Sequence, residues 1–146
     1  MSSVEKRRVD KLNPDDRRLL DLAATYRRRA YSPYSGYKVG AALRTPGGKT
    51  YGGCNIENAA YGPTNCAERT AVFKAVSEGD REFSAIAVTG GGEGFPYPCG
   101  VCRQVLSEFA RPDLRVVMAN VDTGEAVIAT LADLLPFSFA LEKGGK

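Results

Sequence analysis

Cys66-Ala67-Glu68-Arg69-Thr70-Ala71-Val72-Phe73-Lys74-Ala75-Val76-Ser77-Glu78-Gly79 and, about thirty residues on, Pro98-Cys99-Gly100-Val101-Cys102 decide how this 146-residue chain reads. Ala67, Ala71, Val72, Ala75 and Val76 recur at helical spacing, and Gly79 ends the run. That predicts a buried helix over 66–78. Cys99 to Ala110 predicts a second helix, stopped near Pro112. A cysteine opens each helix. Cys99 and Cys102, three apart, share one helix face, so both sulfurs can meet one ion. Cys66 is the natural third ligand. Two helix N-termini facing each other would gather three sulfurs and lower their pKa values through the positive dipole ends.

The flanking sequence supplies a layered framework. Asn13-Pro14-Asp15-Asp16 has an N-cap, a proline in the first turn and acids at the dipole's positive end. Leu19, Leu22, Ala23, Tyr26 and Ala30 follow at helical spacing, and Pro33 stops the helix. Tyr37–Leu43 and Thr50–Cys54 read as a hairpin around Thr45-Pro46-Gly47-Gly48. Asn58–Thr64 is a loop, Ser84–Thr89 a short apolar strand, and Gly90–Gly94 a flexible loop without the ending of a phosphate loop. Leu114–Asn120 and Ala126–Ala129 are strands around the turn Asp122-Thr123-Gly124. Leu131–Leu135 is a short helix. The order α-β-β-α-β-α-β-β-α implies an α/β fold, a three-layer α/β/α sandwich with a mixed five-stranded sheet. Residues 1–146 read as a single domain, with 1–12 a flexible basic extension.

Composition excludes several chemistries. There is no histidine. That removes Ser-His-Asp triads, Cys-His thiol proteases and His-containing metal sites. No apolar run approaches the roughly 18 residues of a membrane span, so no membrane association is expected. The first residues lack the apolar core of a secretion signal, so a cytoplasmic location is expected. The net charge is +3. The basic groups Lys6-Arg7-Arg8, Arg17-Arg18 and Arg27-Arg28-Arg29 lack the interleaved aromatics of a stacking platform. They read as solvated faces, and nucleic acid is not the expected partner.

Four cysteines, Cys54, Cys66, Cys99 and Cys102, leave three readings open. Cys99 and Cys102 could be a redox dithiol. Cys54 could close a structural four-cysteine zinc site. Alternatively, three cysteines hold a catalytic zinc whose fourth position is kept for water. Glu68 favours the last reading, since a carboxylate in the first helical turn can lie beside the metal without binding it and carry protons.

Joined, Cys66-Ala67-Glu68 and Pro98-Cys99-Gly100-Val101-Cys102 are the three-cysteine form of the zinc-deaminase signature. From about Tyr31 to Phe139 the chain resembles the small cytidine deaminases of nucleoside salvage. The resemblance runs through Pro33-Tyr34-Ser35, Val39-Gly40-Ala41-Ala42, Gly53-Cys54-Asn55-Ile56-Glu57-Asn58-Ala59-Ala60-Tyr61, the two cysteine motifs with Arg69 and Arg103-Gln104, and Leu134-Leu135-Pro136. It implies one zinc per chain on Cys66, Cys99 and Cys102, with Glu68 as the catalytic proton carrier. It implies that Asn55 and Glu57 hold the ribose 3′-hydroxyl and that Tyr61 lies by the sugar, often reaching a neighbouring subunit's site. An Asn and a Glu alternating along an extended segment share a face and supply donor and acceptor for a neutral sugar. The Ala67 backbone N–H, at a helix N-terminus, is a candidate donor to the pyrimidine O2.

Three thiolates leave zinc with a net negative charge, which the guanidinium of Arg69 can draw down by hydrogen bonding to sulfur; Arg103 is a weaker candidate for that task. Tyr37 stands where the family usually has Phe, beside the pyrimidine, and adds a hydroxyl that needs a partner. Phe139 best matches a ring that stacks on the base in a neighbouring subunit's site, with Phe137 as a rival. A homotetramer with shared active sites follows from the same resemblance. The expected reaction is hydrolytic deamination of cytidine and 2′-deoxycytidine to the uridines with release of ammonia. The competing expectations are a deaminase of a nucleoside antibiotic or of a base in nucleic acid, and a non-catalytic zinc or redox module.

Overall fold

A computed structural model describes residues 4–144. Helix α1 (Pro14–Arg27) starts where its capping sequence predicts: the Asn13 side chain accepts from the Asp16 N–H at 2.8 Å, and Pro14 occupies the first turn. Strands β2 (Gly40–Arg44) and β3 (Thr50–Cys54) form the antiparallel hairpin. Helix α2 (Ala67–Ser77), strand β4 (Phe83–Gly90), helix α3 (Gly100–Phe109), strand β5 (Ala110–Asn120), strand β6 (Glu125–Thr130) and the short helix α4 (Leu131–Leu134) follow. Thr130 and Asp133 close a reciprocal capping box on α4.

Among the described residues the sheet has six strands, not the expected five: the extra one is β1 (Glu5–Arg8). The strand order is β1-β6-β5-β4-β2-β3, and β4–β5 is the sheet's parallel pair. Strand β1 pairs antiparallel with β6, and Val9–Lys11 forms a 3-10 turn behind it. The segment expected to be a flexible extension is therefore an edge strand over these residues; residues 1–3 lie outside the described part. All four strand residues are exposed, so nothing in their polarity announces the backbone ladder that holds them. Element boundaries also move, and α1 ends at Arg27 rather than running on to Ala30. The hairpin begins at Gly40 rather than Tyr37. Strand β5 begins at Ala110, directly after α3, and its register against β4 shifts between Phe83 and Ala85. Pro112, with no N–H to donate, lies inside that irregular step.

Alternation along the strands builds the three layers. Ala85 and Ala87 of β4, Ala42 of β2 and Val117, Ala119, Ala126 and Ile128 pack under α1 through Leu19, Leu20 and Ala23. Ile86, Val88, Leu43, Val116 and Met118 face the opposite way, against Ala71 and Val72 of α2 and Leu106 of α3. The small residues under each helix set how close it lies. A Cβ at Gly40 would run into the Ala23 carbonyl oxygen of α1. A Cβ at Gly53 would come within 2.5 Å of the Ala71 nitrogen and 2.6 Å of the Ala67 carbonyl oxygen of α2. Glycine at 53 thus fixes the depth at which the first turn of α2, with Glu68, is seated.

Candidate metal centre and active site

Cys66 is the N-cap of α2, and Cys99 is the N-cap of α3. The two helix N-termini converge, and Cys102 is buried in the first turn of α3. The Sγ atoms of Cys66, Cys99 and Cys102 all lie within 4.8 Å of one another, with Cys66 and Cys99 3.8 Å apart. Tetrahedral zinc with Zn–S bonds of about 2.3 Å needs sulfurs about 3.8 Å apart. The donor set therefore fits the metal in both chemistry and spacing. Cys54 does not join the group. It ends β3, opposite Gly40, and burial raises its thiol pKa. Among the described residues the cluster is one of three sulfurs, as a centre that keeps a position for water requires.

The surroundings polarise the Cys66 thiol. The Cys66 thiol is lowered to about 5, first by the hydrogen bond from Cys102 and then by Arg69 and Cys99. The Arg69 Nη2 donates to Cys66 Sγ at 3.3 Å. Arg103 does not share this task. Its guanidinium donates to the carbonyls of Pro98 at 2.7 Å and Leu134 at 2.6 Å, tying the α3 entry to α4. Glu68, in the first turn of α2, is 5% exposed. Burial raises its carboxyl to about 7, which lets it both take up and release a proton near neutrality.

Beside the thiols and Glu68 lies a cavity of about 420 Å³. Tyr37, Asn55, Glu57, Cys66, Ala67, Glu68 and Cys99 all line it. The Asn55 side chain accepts from the Val39 N–H at 2.9 Å and donates to the Tyr37 carbonyl at 2.8 Å. The Glu57 carboxylate accepts from the N–H groups of Tyr34 and Ser35 and from the Ser35 hydroxyl, and these bonds hold it below the usual carboxylate range. Both side chains thereby fix the loop that carries Tyr37. The Tyr37 hydroxyl sits so close to Gly90 that a Cβ there would come within 2.5 Å of it.

Tyr61 and Phe139 fall outside this cavity. Tyr61 is 85% exposed and lines an adjoining hollow with Tyr34, Ser35 and Glu57. Phe139 is 65% exposed, and its carbonyl accepts from Gln104. Phe137, the rival aromatic, is fully exposed and adopts a positive φ of 54°.

The sequence reading missed an aromatic part of the lining. Phe95, Pro96 and Tyr97 line the cavity, and the two rings meet edge to face with centroids 6.2 Å apart. Their signal was an aromatic pair immediately before Pro98-Cys99. The loop leading to them is not free. Asn120 Nδ2 donates to the Gly92 carbonyl at 2.9 Å and the Gly94 carbonyl at 2.6 Å, and Asp122 accepts from the Gly92 N–H at 2.7 Å.

Comparison with known proteins agrees with this geometry. A family model described as "Cytidine and deoxycytidylate deaminase zinc-binding region" matches residues 13–119. The chain is 49% identical to a cytidine deaminase of Sporosarcina psychrophila over 128 residues, covering 88% of this chain and 93% of that protein. It is 47% identical to one from Halalkalibacterium halodurans, covering 88% of this chain and 96% of that one. The crystal structure of a cytidine deaminase from Burkholderia pseudomallei superposes with a TM-score of 0.81 at 50% identity, over 84% of this chain and 98% of that one. No described helix is long and apolar enough to cross a membrane.

Proposed function

The chain belongs to the cytidine and deoxycytidylate deaminase family, a zinc-binding family whose metal its three cysteines are placed to hold, and from that premise we propose that it hydrolyses cytidine and 2′-deoxycytidine to uridine and 2′-deoxyuridine, releasing ammonia in pyrimidine salvage. One observation carries the reading: the buried Glu68 carboxyl lies two residues from Cys66 of a three-thiol cluster and lines the same cavity as Asn55 and Glu57.

Cys66, Cys99 and Cys102 would hold the zinc, which would supply a water with its pKa lowered towards about 7. Glu68 would take a proton from water as the oxygen adds to C4 of the pyrimidine, and would deliver it to ring N3. The second proton travels by the same carboxyl to the C4 amino group, and the C–N bond breaks to release ammonia. The Ala67 N–H, at the start of α2, donates to O2 of the ring. Asn55 and Glu57 hold the ribose hydroxyl, and Tyr37 flanks the base. Arg69 draws charge from the Cys66 sulfur, which a ligand set of three thiolates needs if the centre is to polarise water.

Tyr61 and Phe139 belong to the same proposal as groups that serve a neighbouring subunit's site in a homotetramer. Their exposure, and that of Tyr34, Phe137 and Leu141, supports an assembly that covers these side chains. The proposed site of action is the cytoplasm. The test is turnover by zinc-loaded protein, with light scattering for the assembly. Cytidine conversion that disappears in Glu68→Gln supports the reading; full activity in that variant removes Glu68 from the chemistry.

A further inference from the structure

The basic segment ahead of α1 lies outside the residues matched by the family model, and no step of the reaction uses it. Its place in the fold gives it a task. In β1, Lys6 is the register partner of Val127, a residue of the core cluster against which Phe95 packs. Cross-strand partners share a face, so the Lys6 side chain is on the Phe95 side of the sheet. Its Nζ stands 5.8 Å from the centroid of the Phe95 ring and 3.2 Å from a Glu125 carboxylate oxygen, which aims the ammonium. That distance is within cation–π range.

A second connection runs through the backbone. The Val9 N–H, just past β1, donates to the Gly124 carbonyl at 2.9 Å. Gly124 closes the β5–β6 turn, the same turn from which Asn120 and Asp122 hold Gly92 and Gly94. The aromatic wall is thus gripped at its root by the turn and at Phe95 by Lys6.

We propose that strand β1 buttresses the Phe95–Tyr97 wall of the cavity, with Lys6 as a positioning residue that acts through the Phe95 ring to set how tightly the nucleoside is held. Lys6 touches no substrate. It fixes a ring that lines the same cavity as Glu68, so its loss should weaken binding while leaving proton transfer intact. The consequence for KM rests on the proposed deaminase reading. The consequence for the wall does not.

The experiment uses the full chain with Lys6→Met, which keeps the apolar stem, Lys6→Arg, which keeps the cation, and each of these with Phe95→Leu. Hydrogen exchange over residues 91–97 and steady-state kinetics on cytidine are read together. Lys6→Met should speed exchange of this segment and raise KM, each about threefold, with kcat within about twofold of the parent. Lys6→Arg should restore both. In the Phe95→Leu background, Lys6→Met should add nothing. Unchanged exchange in Lys6→Met, failure of Arg to restore it, or an equal effect without the Phe95 ring would overturn the proposal. If the parent chain leaves cytidine untouched, the deaminase reading falls and the exchange data alone decide the role of β1.

Discussion

Gly53→Ala should disable the site without touching any group in it. Gly53 faces α2, and a Cβ there would lie 2.5 Å from the Ala71 nitrogen and 2.6 Å from the Ala67 carbonyl oxygen. Both are helix backbone, so no side chain can swing away. Restoring ordinary carbon contact requires α2 to retreat by about 1 Å. The first turn of that helix carries Glu68, and its N-cap is Cys66, whereas Cys99 and Cys102 ride on α3 and stay behind. A shift of this size between catalytic groups costs roughly 100-fold in rate. Overpacking adds about 1–3 kcal/mol of destabilisation. For a chain of this length that is a fall in Tm of about 3–10 °C. Gly47→Ala is the control, because its Cβ would meet only Thr45 Oγ1 at 4.0 Å. The assay is kcat on cytidine for zinc-loaded protein, with Tm measured on the same samples. A Gly53→Ala enzyme that turns over at the parent rate would refute the argument that this glycine seats the catalytic helix.

Glu68→Gln should bind nucleoside yet lose about 10²–10⁴ of kcat, measured by steady-state kinetics beside equilibrium binding, since proton carriage accounts for that range. Arg69→Gln removes the donor to Cys66 Sγ and should lower zinc affinity or activity about 10–100-fold, read by chelator competition and kinetics. Cys54→Ser should keep one zinc per chain, because Cys54 stands apart from the three-sulfur cluster; loss of the metal by elemental analysis would restore the closed four-cysteine reading. Glu57 has its folded pKa lowered by the Ser35 hydroxyl and two backbone N–H groups. Its contribution is therefore complete above the unperturbed value of about 4.3 and is lost only as pH falls through the lower folded value. KM for cytidine should owe no rise to this group down to about pH 4.5, whereas Glu57→Gln should raise KM across the range.

What the sequence disclosed and what it hid divide along physical lines. Local chemistry was legible. The Asn13-Pro14 start of α1, the two cysteine-led helices and the hairpin are each written in a few adjacent residues whose caps and turns are short-range. The three thiols and Glu68 were legible for the same reason: each motif fits within one helical turn. Strand β1 was not. Glu5-Lys6-Arg7-Arg8 is exposed on every residue, and its partner Glu125–Ile128 lies more than a hundred residues away in the chain. The Gly90–Gly94 loop read as flexible because its restraints come from Asn120 and Asp122, side chains that follow α3 in the chain. The Phe95–Tyr97 wall was missed because its rings meet the cavity only after the β4-to-α3 connection folds back. Arg103 beside Cys102 suggested a sulfur donor, but its reach is to the Pro98 and Leu134 carbonyls instead.

The most direct test is an absorbance assay on zinc-loaded protein with cytidine, following the pyrimidine band and released ammonia together, with and without a zinc chelator. Stoichiometric loss of cytidine and appearance of ammonia, both abolished by the chelator and regained on adding zinc, is the predicted result. Protein that carries one zinc per chain and leaves cytidine unchanged would contradict the account.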